Sequence, residues 1–126
     1  MPVLTQPPSL GDLLKYELNP NYNRESVTLL AGTNYPLGAV LGVVTASGKY
    51  TLSPATGTDG SEAAAAVLLE GVDATTADAT AVVIVRGPAL LSKAQLTVDA
   101  TVDDAAKLAT KHAELIAHGL VPRDAA

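Results

Sequence analysis

The sequence predicts a mainly β protein with one C-terminal helix, an α+β chain that begins with an extended N-terminal arm. Short runs of Val, Leu, Ile and Ala alternate with clusters of Gly, Ser, Thr, Asn and Asp, which is typical of strands joined by turns. Only one stretch, near the C-terminus, has the apolar spacing of a convincing helix. We therefore assign residues 1–23 to the arm and residues 24–126 to a β-rich domain that includes a helix at about residues 102–118.

The strongest strand prediction is residues 80–85 (TAVVIV), because apolar side chains on both faces indicate a central, buried strand. Residues 38–44 and 49–52 flank a turn-forming segment and predict a hairpin, in which Gly48 is free to adopt a positive φ. Residues 53–61 are almost all turn formers and predict an exposed loop. Further strands are expected at residues 27–31, before Gly71 and at 89–96, with a turn at 32–36 and a connection at 72–79.

The predicted helix has clear end signals. Thr101 is the expected N-cap, Asp103 and Asp104 suit the positive end of the helix dipole, and Gly119 is a good C-terminal stop. The apolar stripe consists of Ala105, Leu108, Ala109, His112, Leu115 and Ile116. We expect Leu108, Leu115 and Ile116 to be largely buried. The residues outside the stripe are Lys107, Lys111, Glu114 and His118. Lys111→Ala should therefore cost far less stability than Leu115→Ala.

The N-terminal segment does not have the pattern of a packed domain, because Pro2, Pro7, Pro8 and Pro20 interrupt both helix and sheet. Residues 14–18 (LKYEL) nevertheless alternate between apolar and charged side chains, which is the period of a strand. The segment is either an edge strand of the chain's own sheet or an arm that adds a strand to a partner's sheet. On the second reading, the apolar side chains face the partner and the charged ones face away.

The composition excludes several functional classes. A formal net charge of −5 disfavours nucleic acid and anionic membranes as partners. The chain has no cysteine, so it has neither a thiolate nucleophile nor a disulfide framework, and it lacks a membrane-length apolar run. With no Phe and no Trp, the core must be built from small aliphatic residues. Such a core is modest for its length and suggests stabilisation by oligomerisation or docking.

No catalytic or metal-binding pattern is visible. His112 and His118 are six residues apart, which is not the spacing that places two zinc ligands on one helix face. No serine lies in a nucleophile elbow. The acidic residues have simpler roles in turns and at the helix start, and these are Asp59, Asp73, Asp78, Asp103 and Asp104. We therefore expect a non-enzymatic protein without a cofactor, a metal or a small-molecule substrate.

Four segments carry a resemblance to a known family. They are YNRESVTLLAG at residues 22–32, GAVLGVVTASGKYTL at 38–52, EGVDATTADATAVVIVRGPALL at 70–91 and HGLVPR at 118–123. In this order the chain resembles the head decoration proteins of lambda-type tailed phages. It departs from them in lacking the tryptophans that some members carry and in having a longer C-terminal helix than the shortest members.

The resemblance implies a β-clip-like body of bent ribbons and a homotrimer on the outer surface of the expanded phage capsid, assembled in the host cytoplasm. The trimer would stabilise the capsid against internal DNA pressure, and its arm would contact the major capsid protein by strand pairing. The candidate capsid-binding residues are Leu13, Leu14, Lys15, Tyr16, Glu17, Leu18 and Tyr22. The alternative is a free-standing β-rich adhesion or carbohydrate-binding module, although four tyrosines offer few aromatic platforms for a sugar.

Overall fold

A computed structural model of the chain describes residues 13–123. Within this range the protein is mainly β with one long C-terminal helix, which confirms the predicted fold class. The strands are β1 (Leu14–Glu17), β2 (Arg24–Leu29), β3 (Thr33–Tyr35), β4 (Val40–Val43), β5 (Tyr50–Leu52), β6 (Ala64–Leu68), β7 (Val72–Ala74), β8 (Ala79–Ile84), β9 (Ala89–Ser92) and β10 (Leu120–Arg123). The helices are α1 (Pro20–Asn23) and α2 (Ala105–Ala117), with a 3-10 turn at Lys93–Gln95.

Five strands close into a barrel in the order β2-β5-β4-β6-β8. The longest ladder joins β2 to β8 in antiparallel register, from Arg24 opposite Ile84 to Leu29 opposite Ala79. The barrel closes through one parallel pair between β2 and β5, Leu29 opposite Tyr50. The segment with the strongest strand prediction forms β8, which has a neighbour on each side and is central as expected.

Alanine is a frequent residue in one of the two cores. A barrel of five strands has a narrow interior, and alanine fits where larger residues would clash. Tyr35 is the largest side chain of this group, and its hydroxyl donates to the carbonyl of Leu30 at 2.7 Å. The buried residues of this core are Leu29, Tyr35, Ala39, Leu41, Ala66, Leu68, Ala74, Ala81 and Val83.

The second core lies where β4, β6 and β8 of the barrel meet the sheet β1-β9-β10 and helix α2. Its buried residues are Leu13, Val40, Ala64, Val67, Leu69, Ile84, Ala89, Leu91, Leu115 and Leu120. Leu13, which precedes β1, and Leu120, which begins β10, are both fully buried. Segments from both ends of the described chain are therefore part of the packed body.

Three short strands differ from the sequence prediction. β3 lies in the segment predicted as a turn and β7 in the segment predicted as a connection, and the two pair with each other from Thr33 to Tyr35. β10 follows the helix and pairs in parallel with β9. The predicted hairpin is present between β4 and β5, and Gly48 adopts φ 71° in its turn. Strands of three or four residues are too short to show a reliable period, so local patterns did not reveal them.

Helix α2 begins later than predicted. Its N-cap is Asp104, whose Oδ1 accepts from the backbone amide of Lys107 at 2.8 Å, so Thr101 as the cap is wrong. Thr101 instead donates to Asp99 at 2.6 Å and accepts from the amide of Ala55 at 2.9 Å. The predicted stop holds, because the helix ends at Ala117 and Gly119 has φ 80°.

The faces of α2 also differ from the predicted stripe. Leu115 is fully buried, as expected, whereas Leu108 is only partly buried. Ile116 is 51% exposed, so its predicted burial is wrong, whereas Lys111 is buried with 1% exposure. The helix thus turns a lysine inward and an isoleucine outward.

Candidate interaction surface

β1 is an edge strand of the chain's own sheet. It pairs antiparallel with β9, with Leu14 opposite Leu91 and Glu17 opposite Ala89, and the sheet order is β1-β9-β10. The sequence left two alternatives for residues 14–18, and the structure shows the first, an edge strand of the chain's own sheet. The opposite side of β1 has no strand partner among the described residues, and we call this side the open edge.

A β-bulge in β1 interrupts the two-residue period. The register shifts between Leu14 and Tyr16, so Tyr16 lies opposite Leu90. A bulge inserts one residue and redirects the side chains beyond it. The predicted separation into one apolar face and one charged face is therefore wrong: Leu14 packs against the core, while Lys15 and Tyr16 are both exposed.

The remaining apolar candidates form an exposed set near this edge. Tyr16 is 48% exposed, Leu18 is 58% exposed and Tyr22 is 54% exposed, and among the described residues only Ile116 is a comparably exposed large apolar side chain. We call Tyr16, Leu18 and Tyr22 the apolar edge patch. Leu13 lies in the core and cannot contact a partner directly.

The patch runs along the segment 86–90. Tyr16 lies opposite Leu90, the amide of Leu18 donates to the carbonyl of Pro88 at 3.2 Å, and the Arg86 guanidinium lies 5.4 Å from the ring centre of Tyr22. The guanidinium also donates to the Glu25 carboxylate at 2.7 Å, and this hydrogen bond raises the pKa of Arg86. Stacking on a guanidinium holds the exposed Tyr22 ring on one side and leaves the rest accessible.

The candidate residue Glu17 has an internal role that the sequence analysis missed. Its carboxylate accepts two hydrogen bonds from Arg24, at 3.1 Å from Nε and 2.5 Å from a terminal nitrogen. The side chains are only 10% and 27% exposed. This two-pronged geometry is the strong form of an ion pair. The opposite charges of the two residues were compatible with an ion pair. However, no local pattern shows that α1 folds the chain back and brings them together.

Asn23 was also missed. It is fully buried, and its side-chain amide donates to the carbonyls of Arg86 at 2.9 Å and Pro88 at 3.3 Å, while its oxygen accepts from the amide of Asn19. The available signal was Asn19-Pro20, because an asparagine cap followed by proline favours a helical start. α1 is that single turn, and Asn23 fastens it to the segment after β8.

The two edges of the sheet differ in their capacity to pair. β10 contains Pro122, which lacks a backbone donor and is tolerated in strands mainly at edges. β1 contains no proline. Because proline protects an edge from further pairing, β1 is better suited than β10 to strand addition.

Residues 13–123 contain no group of three or more side chains that could hold a metal ion, and no helix in this range is long and apolar enough to cross a membrane. The pKa values of four aspartates are lowered by hydrogen bonds from their neighbours: Asp59 from Ser61, Asp73 from Thr75, Asp78 from Lys49 and Asp103 from Lys107. These carboxylates order turns and the region before α2.

The geometry thus consists of an open strand edge beside an apolar patch, which suits binding to another protein. No curated protein sequence matches the chain significantly. The sequence model of one family, described as bacteriophage lambda head decoration protein D, matches residues 3–120. This match covers nearly the whole chain and agrees with the resemblance of its four segments. The chain belongs to the lambda head decoration protein D family, a family of structural phage capsid components.

Proposed function

We propose that the protein binds as a homotrimer to the outside of the expanded phage capsid and holds neighbouring capsid proteins together against the pressure of the packaged DNA. Membership of the head decoration family supports this role. The two small cores, built almost entirely from aliphatic residues, support a protein that gains stability from its neighbours.

The apolar edge patch is the proposed contact with the major capsid protein. The observation that carries this proposal is the exposure of Tyr16, Leu18 and Tyr22 beside the open edge of β1. A capsid strand added to this edge would gain backbone hydrogen bonds from β1 and apolar contacts from the patch. Leu13, Leu14 and Glu17 take part indirectly, by holding β1 in place, and Lys15 lies beside the patch. Residues 1–12 lie outside the described range and remain a proposed part of the arm.

The test of this contact is the loss of capsid binding when the patch becomes polar. Tyr16, Leu18 and Tyr22 are replaced by Ser, singly and together, and binding to expanded capsids that lack the protein is measured by cosedimentation. Burial of three half-exposed apolar side chains is worth about 3 kcal/mol, so the triple variant should bind roughly a hundredfold more weakly. Its melting temperature should change little, since the side chains are already exposed.

Ile116→Ser is the matched control, because Ile116 is equally exposed but lies on α2. It should bind like the wild type. Equal losses for the control and the triple variant, or undiminished binding by the triple variant, would place the contact elsewhere.

The trimer is tested separately by native mass spectrometry of the free protein. Three chains are expected from the resemblance to the head decoration family. Three weak contacts held in one trimer would then gain avidity that one contact lacks. A monomer that decorates capsids fully would contradict this part of the proposal.

A further inference from the structure

Residues 14–24 are fastened to the body of the free chain at three points. β1 pairs with β9, the amide of Leu18 donates to Pro88, and Glu17 is bound by Arg24. The segment that carries the apolar edge patch is therefore folded without a partner.

The Glu17–Arg24 pair joins two different parts of the fold. Glu17 ends β1 in the flanking sheet, and Arg24 begins β2 in the barrel. Their side chains are mostly shielded from water, which reduces screening of the interaction. The pair thus holds the end of the edge strand to the barrel wall.

Asn23 acts beside this pair. Its side chain binds the carbonyls of Arg86 and Pro88, and its own carbonyl accepts from the amide of Val85 at 3.0 Å. Its amide oxygen also fixes Asn19 at the start of α1. Because Asn23 is fully buried, loss of these bonds would leave unpaired polar groups in the interior. It therefore fixes the segment 86–88, along which Leu18 and Tyr22 lie.

We infer that Glu17, Asn23 and Arg24 form a latch that presents β1 as a preformed docking edge. This inference rests on the proposed function. A partner strand would meet an edge that is already ordered. The entropy cost of ordering residues 13–23 therefore arises when the chain folds and does not weaken capsid binding. The latch residues are positioning residues: they act on the patch and do not themselves need to touch the capsid.

Arg24→Gln tests the latch, because it removes the charge and keeps much of the side chain. Hydrogen exchange of the free protein is followed at the amides of Leu18 and Val85, which report on the edge segment. Association with capsids is followed by surface plasmon resonance. The wild type should protect the Leu18 amide, whereas Arg24→Gln should exchange it at least tenfold faster and keep the β2–β8 amides protected. The association rate constant should fall about tenfold, with a much smaller change in the dissociation rate constant.

The charge-reversed double variant, Glu17→Arg with Arg24→Glu, keeps the pair with its charges exchanged. It should restore both the protection of Leu18 and the association rate, which a general loss of stability would not allow. Lys49→Gln is the control, because it removes an exposed ion pair with Asp78 that does not involve β1. It should change neither quantity.

Three outcomes would overturn the inference, and they can be distinguished. If the Leu18 amide of the free wild type exchanges as in an unstructured chain while capsid binding is intact, the latch is wrong and the proposed function stands. If the amide is protected and the wild type does not bind capsids, the proposed function and the docking role fail together. An Arg24→Gln variant that loosens β1 but associates at the wild-type rate would also contradict the latch.

Discussion

Lys111 is the buried residue with the most demanding environment. Its ammonium donates to the hydroxyl of Ser53 at 2.9 Å and to the carbonyl of Glu62, and it lies 3.3 Å from the Glu114 carboxylate. A lysine has three donors, and these three acceptors match them. Since Ser53 and Glu62 lie on either side of the loop between β5 and β6, one side chain fastens both ends of that loop to α2.

Lys111→Met should destabilise the protein by about 3 kcal/mol, the lower end for breaking a buried pair, because Glu114 keeps some contact with water. Chemical denaturation gives the free energy of unfolding. Lys107→Met is the control on the same helix, because Lys107 forms exposed pairs with Asp103 and Asp104. It should leave the melting temperature almost unchanged, and similar effects from the two variants would contradict the role assigned to Lys111.

His112 should make stability depend on pH just below neutrality. Burial lowers its pKa from 6.5, and the nearby positive charge of Lys93 lowers it further. The unfolded chain therefore binds a proton at higher pH than the folded chain does, so stability falls as the pH drops below about 6.5. The melting temperature should decline as the pH is lowered from about 7.5 to 5.5. His112→Gln should make that decline smaller. The aspartates with lowered pKa values act in a separate window, below about pH 4. An identical decline in the variant would exclude His112 as its source.

The roles of some individual side chains could be predicted from the sequence, and those of others could not. The turn roles of Asp59 and Asp73 and the cap role of Asp104 follow from their neighbours in sequence, and the structure shows them. Lys111 was assigned to the residues outside the apolar stripe, and its burial shows that this was wrong, although it lies three residues after Leu108 and four before Leu115. Its charge argued against burial, and only the folded chain supplies the acceptors that satisfy it.

At the scale of elements, α2 is held by one face. Leu115→Ala should cost about 2–5 kcal/mol, because Leu115 is fully buried in the second core. Ile116→Ala should change the free energy of unfolding by less than about 0.5 kcal/mol, since Ile116 is exposed. Chemical denaturation of the two variants checks this difference. Equal small effects would mean that the helix is peripheral to the fold.

β1 belongs to the fold as well as to the proposed contact. Deleting residues 1–18 removes Leu13 from the second core and uncovers β9, whereas deleting residues 1–12 spares both. The longer deletion should therefore cost at least about 2–5 kcal/mol more than the shorter one, the range for removing a buried leucine. Thermal and chemical unfolding of the two truncated proteins test this. Equal stabilities would show that β1 is dispensable for folding.

Elements with strong local patterns were predicted well, and pairing was not. β8, the β4–β5 hairpin and most of α2 follow from periodicity, turn residues and helix stops. The bulge in β1 and the β3–β7 pair depend on partners more than 30 residues away, about which a local pattern carries no information. The exposed side chains Tyr16, Leu18 and Tyr22 were among the candidate residues, but the latch that holds them was not.

At the scale of the whole molecule, the fold class was predictable and the closed barrel was not. Closure depends on the single parallel pair between Leu29 and Tyr50, which no turn or spacing indicates. The structure gives a physical reason for the absence of Phe and Trp. The interior of a five-stranded barrel is narrow and has room for alanine but for few large rings. Composition had indicated only that the core would be modest.

The first and last described strands, β1 and β10, lie on either side of β9, so the two ends of the described chain are close in space. Leu91 of β9 lies opposite Leu14 of β1 on one side and Pro122 of β10 on the other. The ends are thus two strand spacings apart, about 10 Å, which a linker of about six Gly and Ser residues spans easily. A circular permutant that joins residue 123 to residue 13 and opens within the exposed segment 56–58 would keep every strand pair. It should fold with the circular dichroism spectrum of the parent, and an unfolded product would show that chain order, and not only contact geometry, determines this fold.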